Sequence, residues 1–262
     1  MNKEVVIQSN GRLAYYKKEA LSKSMWESHW NFSITKNYYR RSISGDLAFL
    51  EKPIKKYFQK GSLTLEAGCG LSKYVIALNN RGYRCEGVDY ASQTISKVKS
   101  IFPDLNVRVD NLKKLSISDN YYDNLISLGV VEHEFSGPDI FLREFHRILK
   151  PNGMAYITVP YINFLKKYKL EKSFYDIKEP KDYNFYQYAF SEDEIKKIIE
   201  KNNFRVVDVF GYGAWKGIKD EISFFQKVYN IPKIGGLYAM MTKLPIIEKR
   251  FGHMIGIMCQ KK

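Results

Sequence analysis

Apolar positions in the middle of the chain fall into two alternating rhythms. Short runs rich in β-branched and aromatic residues, "LTLEAG", "YRCEGVD", "NVRVD", "DNLISLG" and "MAYITVP", read as strands. Between them, "SKYVIALNNRG", "SQTISKVKSIF" and "PDIFLREFHRILK" place apolar residues three and four apart, the helical spacing. Gly82 suits the end of the first helix, Pro103 stops the second, and Pro138 fits the first turn of the third. "PNG" at 151–153 reads as a turn. Strands alternating with helices of this length pair in parallel through right-handed crossovers. Upstream, residues 13–30 and 45–59 read as two aromatic-rich helices. Downstream, Ser191 and Glu194 form a capping box before a helix, and "FRVVDVFGYG" and "HMIGIMCQ" read as strands. A basic, apolar helical insert near 219–250 separates these two strands.

In an open sheet of this kind, ligands sit beyond the carboxyl ends of the strands. That directs attention to Glu66–Gly70, Asp89–Tyr90, Asp110–Asn111 and Leu128–His133. Gly68 and Gly70 suggest a backbone pressed against a small ligand. A dinucleotide fingerprint would need a third glycine where Lys73 stands, and no P-loop run occurs. The acid Glu66 would repel a pyrophosphate and suits a ligand carrying an ammonium and a sulfonium. Asp89 closes the second strand, where a carboxylate accepts both hydroxyls of a ribose; Tyr90 offers a face to adenine, and Asp110 with Asn111 can receive its exocyclic amine. Each residue alone has a bland reading as a turn, cap or core position. Their order along the chain carries the inference.

Through "LEAGCG", "GVDYAS", "VDNLKKLSISDNYYDNLISLGVVEH", "FLREFHRILKPNGMAYITVPY" and "FYQYAFSEDEIKKIIEKNNF", the sequence resembles the class I S-adenosylmethionine-dependent methyltransferases, specifically the type 11 group. The resemblance covers most of residues 60–210. It implies an α/β fold with a Rossmann-like, seven-stranded, mostly parallel sheet and helices on both faces. An N-terminal helical cap (1–62), a cofactor-binding core (63–160) and a C-terminal part of the same sheet with cap insertions (161–262) would make up one domain. The resemblance implies S-adenosylmethionine as cofactor. Glu66, Gly68, Cys69 and Gly70 would hold its methionine part, and Asp89 its ribose. Tyr90 and Asn111 would flank the adenine, Asp110 would accept its amine, and the backbone of Leu128 and Gly129 would lie near the methionyl end. Ser72 departs from the pattern, because many relatives carry a third glycine there.

Methyl transfer from a sulfonium needs chiefly positioning and exclusion of water. His133 is the candidate catalytic base, its rival role being to organise the following loop with Glu132. Some relatives resemble "E-x-x-E-H" here and hold a divalent ion with it; Gly129 occupies the first acid's place, which argues for a metal-free reaction. The "(D/N)PPY" run of enzymes that methylate DNA bases is absent, "LGVV" standing there. Trp26, His29 and Trp30 are candidates for a lid, and Trp30, Tyr161, Tyr188 and Trp215 for an acceptor pocket. Ordinary helix-face packing is the rival reading of each.

Composition alters this picture in two places. The net charge of +14 divides as +7 in residues 1–62, zero in 63–160 and +7 in 161–262. The basic flanks suit an anionic or lipid-linked small acceptor, RNA, or the surface of a membrane. Cys69, Cys85 and Cys259 offer neither a disulfide framework nor a zinc pattern. No apolar run approaches the roughly 20 residues of a membrane span, and the start lacks a secretory signal, so the expected place is the cytoplasm. The leading expectation is methyl transfer to oxygen, nitrogen or carbon of a small molecule. The alternatives are an RNA methyltransferase and a non-catalytic protein that binds the cofactor as a sensor or partner.

Overall fold

The computed structural model describes residues 4–8, 11–29, 34–177, 180–229, 240, 242 and 244–262. Its frame is one sheet of seven strands: β3 (Leu63–Ala67), β4 (Arg84–Asp89), β5 (Val107–Val109), β6 (Tyr122–Leu128), β7 (Leu149–Pro160), β9 (Phe204–Tyr212) and β10 (Met254–Lys261). Their spatial order is β5-β4-β3-β6-β7-β10-β9, and only β10 runs against its neighbours. The order reverses at β3, so the crevice between the carboxyl ends of β3 and β6 is where such a sheet takes a ligand.

Helices close both faces, as buried strands with few polar positions require. On one face α6 (Asp139–Ile148) and α8 (Glu192–Lys201) supply Leu142, Phe145, Ile195 and Ile199 to a core with Leu65 and Leu125. On the other, α3 (Glu51–Tyr57), α4 (Lys73–Asn80) and α5 (Ser92–Ile101) bring Ile54, Val75, Leu78 and Val98 against Cys85, Tyr156 and Met258. Each such aliphatic side chain withdrawn from water contributes about 2 kcal/mol. Ser191 caps α8 by accepting the Glu194 amide at 3.2 Å, as the capping box predicts. All three cysteines are free and buried.

Residues 13–17 depart from expectation. They form a strand, β2 (Leu13–Lys17), between β1 (Glu4–Ile7) and β8 (Asn184–Ala189) in a separate antiparallel sheet. Leu13, Ala14, Tyr16 and Lys17 are all buried. β2's partner β8 lies more than 160 residues away in sequence, so local spacing carried no sign of the pairing. The expected first helix survives only as α1 (Lys23–His29), and the second only as α3, preceded by a 3-10 turn at Ala48–Leu50. A short α2 (Arg40–Ile43) lies between them. The "PNG" run is no separate turn but part of β7: Asn152 adopts φ +63, and the pairing of β6 with β7 shifts between Tyr122 and Asn124. After β7 come α7 (Phe164–Glu171), then, beyond β9, α9 (Ala214–Glu221), α10 (Ser223–Tyr229) and α11 (Pro245–Phe251). The helical insert thus begins a few residues earlier than expected.

Candidate functional site

The glycine loop is shaped by its backbone. Gly68 and Gly70 take φ of +83 and +47, and a Cβ on Gly68 would meet Val130 Cγ2 at 2.5 Å. Both the Gly68 and Cys69 amides donate to the Val88 carbonyl, at 2.8 and 3.0 Å, which curls the loop over the end of β4. Ser72, the N-cap of α4, is held at φ +57, a left-handed conformation that a glycine adopts without strain.

Two acids brace this loop. Asp89 accepts the Gly70 amide at 2.8 Å through one carboxylate oxygen and the Ala91 amide at 2.9 Å through the other. Burial raises its pKa, against the pull of those amides. Each oxygen keeps a second lone pair for a ligand hydroxyl. Glu66 behaves differently from its expected role. It is 3% exposed, and its Oε2 accepts the Val75 amide in the first turn of α4 at 3.1 Å. Burial pushes the carboxyl up to about 8, the Val75 amide draws it down, and the nearby Asp89 charge adds to the rise. Its carboxylate is therefore turned inward onto the helix, where it secures the loop.

Asp110 lies beside Asp89, its amide donating to the Asp89 carbonyl at 3.0 Å. The Asp110 carboxylate takes the amides of Asn111 and Ser116, and the Asn111 side chain takes the Lys113 amide. Both side chains thus fix the 110–116 turn while standing at the crevice rim. Tyr90 is 37% exposed next to them. Leu128 and Gly129 are half-buried at the end of β6, with Gly129 at φ +68 and its amide bonded to the Thr158 carbonyl at 3.1 Å.

His133 sits one 3-10 turn further on. Its Nδ1 lies 2.7 Å from the Tyr186 carbonyl, which fixes the tautomer with the proton on Nδ1 and leaves Nε2 an acceptor. Nε2 is 3.9 Å from Glu132 Oε1. Glu132 is 2% exposed, its Oε2 has no hydrogen-bond partner among the described residues, and burial pushes its carboxyl up to about 8. The rings of Trp26 and Tyr186 both stand edge-on to the imidazole at 4.9 Å. Helix α1 reaches the other side of the crevice as well. Glu27 accepts the Gln93 amide at 3.3 Å, and the Tyr90 hydroxyl meets the Ser22 carbonyl at 3.5 Å. One short helix thus bridges the ends of β4 and β6.

The acceptor candidates do not converge. Tyr188 is 1% exposed, and its hydroxyl bonds Gln8 and Phe135, so it belongs to the core beneath the site. Trp215 is buried inside the helical cap against Phe225. Tyr161 ends β7, with its amide on the His253 carbonyl and its own carbonyl accepting Lys166 Nζ at 3.0 Å. Trp30 lies outside the described residues. Tyr186 and Tyr212 were missed: Tyr186 flanks His133, and Tyr212 stacks on Phe49 at 3.9 Å within electrostatic reach of Glu132. Their only signal in the sequence was an aromatic near a strand end. A groove of about 730 Å³, lined by Asn79, Arg84 and Asp104 among others, opens at the amino ends of β3 and β4, away from these residues.

A sheet reversing at β3, a glycine loop at its carboxyl edge and an acid closing the next strand define the class I nucleoside-binding methyltransferase fold. Residues 65–157 match the family model described as a methyltransferase domain. Over this span the chain is similar to class I S-adenosylmethionine-dependent methyltransferases. It is 30% identical over 100 residues to a protein of Mycolicibacterium smegmatis described as a probable S-adenosylmethionine-dependent methyltransferase, 38% of each chain being covered. A similarly described protein of Mycobacterium tuberculosis is 29% identical over 96 residues, 37% of this chain and 35% of the relative. The matches span well under half the length of these curated relatives. Among solved structures, a Pyrococcus horikoshii protein superposes with TM-score 0.56 at 16% identity, covering 86% of this chain and 92% of the other. A Thermotoga maritima methyltransferase, described as a possible histamine N-methyltransferase, gives 0.54 at 18%, covering 92% and 100%. At these identities the structural likeness speaks for the fold.

Proposed function

We propose that the protein transfers a methyl group from S-adenosylmethionine to a small-molecule acceptor. The observation that carries this reading is Asp89: a carboxylate at the switch point of the sheet whose two oxygens already order the glycine loop and the start of α5. Those oxygens suit the ribose hydroxyls of the cofactor. Tyr90, with Asp110 and Asn111, suits the adenine, and the loop backbone at 68–70 with Leu128 and Gly129 suits the methionine part. The bound cofactor supplies an electrophilic methyl on a sulfonium, so the chain has to align the acceptor and exclude water.

His133 is the group placed to receive the acceptor's proton. Its Nδ1 proton is committed to the Tyr186 carbonyl, so Nε2 is the nitrogen that would take the proton, and Glu132 lies 3.9 Å from it. Trp26 and Tyr186 pack edge-on against the ring. The reaction is written without a metal because glycine stands at position 129, where the relatives that hold an ion carry an acid. The basic flanks favour an anionic or lipid-linked acceptor over a neutral one. RNA is the second candidate, and it predicts affinity falling steeply with salt. A protein that senses the cofactor without turning it over is the third.

Incubation with methyl-labelled S-adenosylmethionine and fractionated metabolites, followed by mass identification of the labelled product, tests the reading. Transfer to a small molecule is expected, with turnover of His133→Ala lowered about a hundredfold and its cofactor affinity little changed. Cofactor binding without transfer to any fraction would instead support the sensor. Unchanged turnover in the variant would remove His133 from the chemistry.

A further inference from the structure

Exposed apolar side chains are spread unevenly over the molecule. Of the fourteen large hydrophobic residues exposed among the described ones, eight lie between Phe164 and Ile177 or between Phe224 and Ile246. Phe164, Tyr168, Phe224 and Ile246 lie on α7, α10 and α11, which belong to one group of touching helices. α11 packs on α7 and α9, α9 packs on α10, and the Phe164 and Phe251 rings meet at 5.9 Å. Along α7, Phe164 and Tyr168 are four residues apart and so share one stripe, 47% and 52% exposed. On α11, Ile246 is 77% exposed.

We propose that the outer surface of α7 and α11 is a docking face for an anionic lipid bilayer. Cations are interleaved with the apolar residues: Lys167, Lys172, Lys249 and Arg250 are all exposed on these elements or at their ends. The Arg250 guanidinium lies 4.3 Å from the centre of the Phe164 ring. A surface that seats another protein concentrates its apolar residues in a centre depleted of lysine. Here Arg250 lies over the Phe164 ring, and Tyr168 and Ile246 each have two exposed basic residues within four positions, the pattern of a helix that buries aromatic and aliphatic side chains among acyl chains while its cations meet lipid phosphates. No helix among the described residues is long and apolar enough to cross the membrane, so the contact is with the surface.

The docking face is tied to the crevice edge. Asn163, between β7 and α7, caps α7 through the Leu165 and Lys166 amides and also donates to the Phe251 and Gly252 carbonyls, linking α7 to the end of α11. Lys166 Nζ holds the Tyr161 carbonyl at the end of β7. Docking therefore brings the carboxyl edge of the sheet toward the headgroups, where a lipid-linked acceptor would be met. That last step rests on the acceptor reading above; the docking itself does not.

Sedimentation of the full chain with phosphatidylcholine vesicles, with and without about one third phosphatidylglycerol, tests the proposal. Binding to the anionic vesicles is expected, weakening with salt. The double variant Tyr168→Asp/Ile246→Asp should lower the partition coefficient at least about tenfold. Its melting temperature and affinity for S-adenosylhomocysteine should stay unchanged. Val109→Asp, at an exposed position on edge strand β5, should leave partition as it was. The proposal is overturned by absence of binding to anionic vesicles, by equal partition of the double variant, or by an equal loss in Val109→Asp. It is also overturned if the chain forms a lipid-free dimer that the double variant dissociates, since a second copy would then cover the face. Failure of S-adenosylhomocysteine to bind at all would strike the methyltransferase reading and leave the docking result standing.

Discussion

At the scale of single residues, the site is built from acids that serve the backbone first. Asp89 was legible as the acid that closes β4, because a β-rich run leads into it. Glu66 was legible as an acid at a strand end, but its direction was not, since only the packed helix α4 shows that its carboxylate faces the Val75 amide. That burial has a measurable consequence. A carboxyl raised to about 8 in the folded chain and near its ordinary value when unfolded holds its proton better in the folded state. Its contribution is complete below the unfolded pKa and is lost as pH rises through about 8. Urea titrations from pH 5 to 8.5 should show stability falling with rising pH, Glu66 accounting for on the order of 2 to 4 kcal/mol. In Glu66→Gln, whose amide oxygen can still accept from Val75, the slope should flatten, with a residue left by Glu132, which titrates in the same direction. Identical slopes in the two proteins would show that Glu66 is ionised without cost. Above pH 8 the buried Lys166 acts in the opposite sense, because burial lowers its ammonium to about 8 and folding becomes easier as it turns neutral.

At the scale of elements, the alternating core was readable because each unit from β3 to β7 pairs with a neighbour close in sequence, so local periodicity and contact agree. The N-terminal segment was not. β2 is a strand because β8, far along the chain, offers an edge and because its buried Leu13, Ala14 and Tyr16 need that cover. A lid is expected from Trp26, His29 and Trp30, and we propose that α1, whose Trp26 ring meets His133, is part of it. An edge-on aromatic pair is worth about 0.5 to 1.5 kcal/mol. Trp26→Ala should therefore speed release of S-adenosylhomocysteine about two- to tenfold in stopped-flow experiments. An unchanged release rate would mean that α1 stands aside from the exit path.

At the scale of the whole molecule, charge is divided between a neutral core and two basic flanks. The core matches a family model, whereas β1, β2, β8 and the helices after β7 lie outside that match. Tyr188 and Trp215, expected at a pocket, are buried in these segments. Their environment depends on a second sheet and a helical layer whose contacts leave no short-range pattern. The four strand-end clusters proposed for the cofactor, by contrast, lie in the alternating core.

Calorimetric titration of the protein and of Asp89→Ala with S-adenosylhomocysteine bears most directly on the central claim. The crevice at β3, β4 and β6 is predicted to bind one equivalent, and the variant to bind at least about tenfold more weakly, the loss of charge-assisted hydrogen bonds to two hydroxyls. No heat of binding in the wild type, or equal affinity in the two proteins, would contradict it.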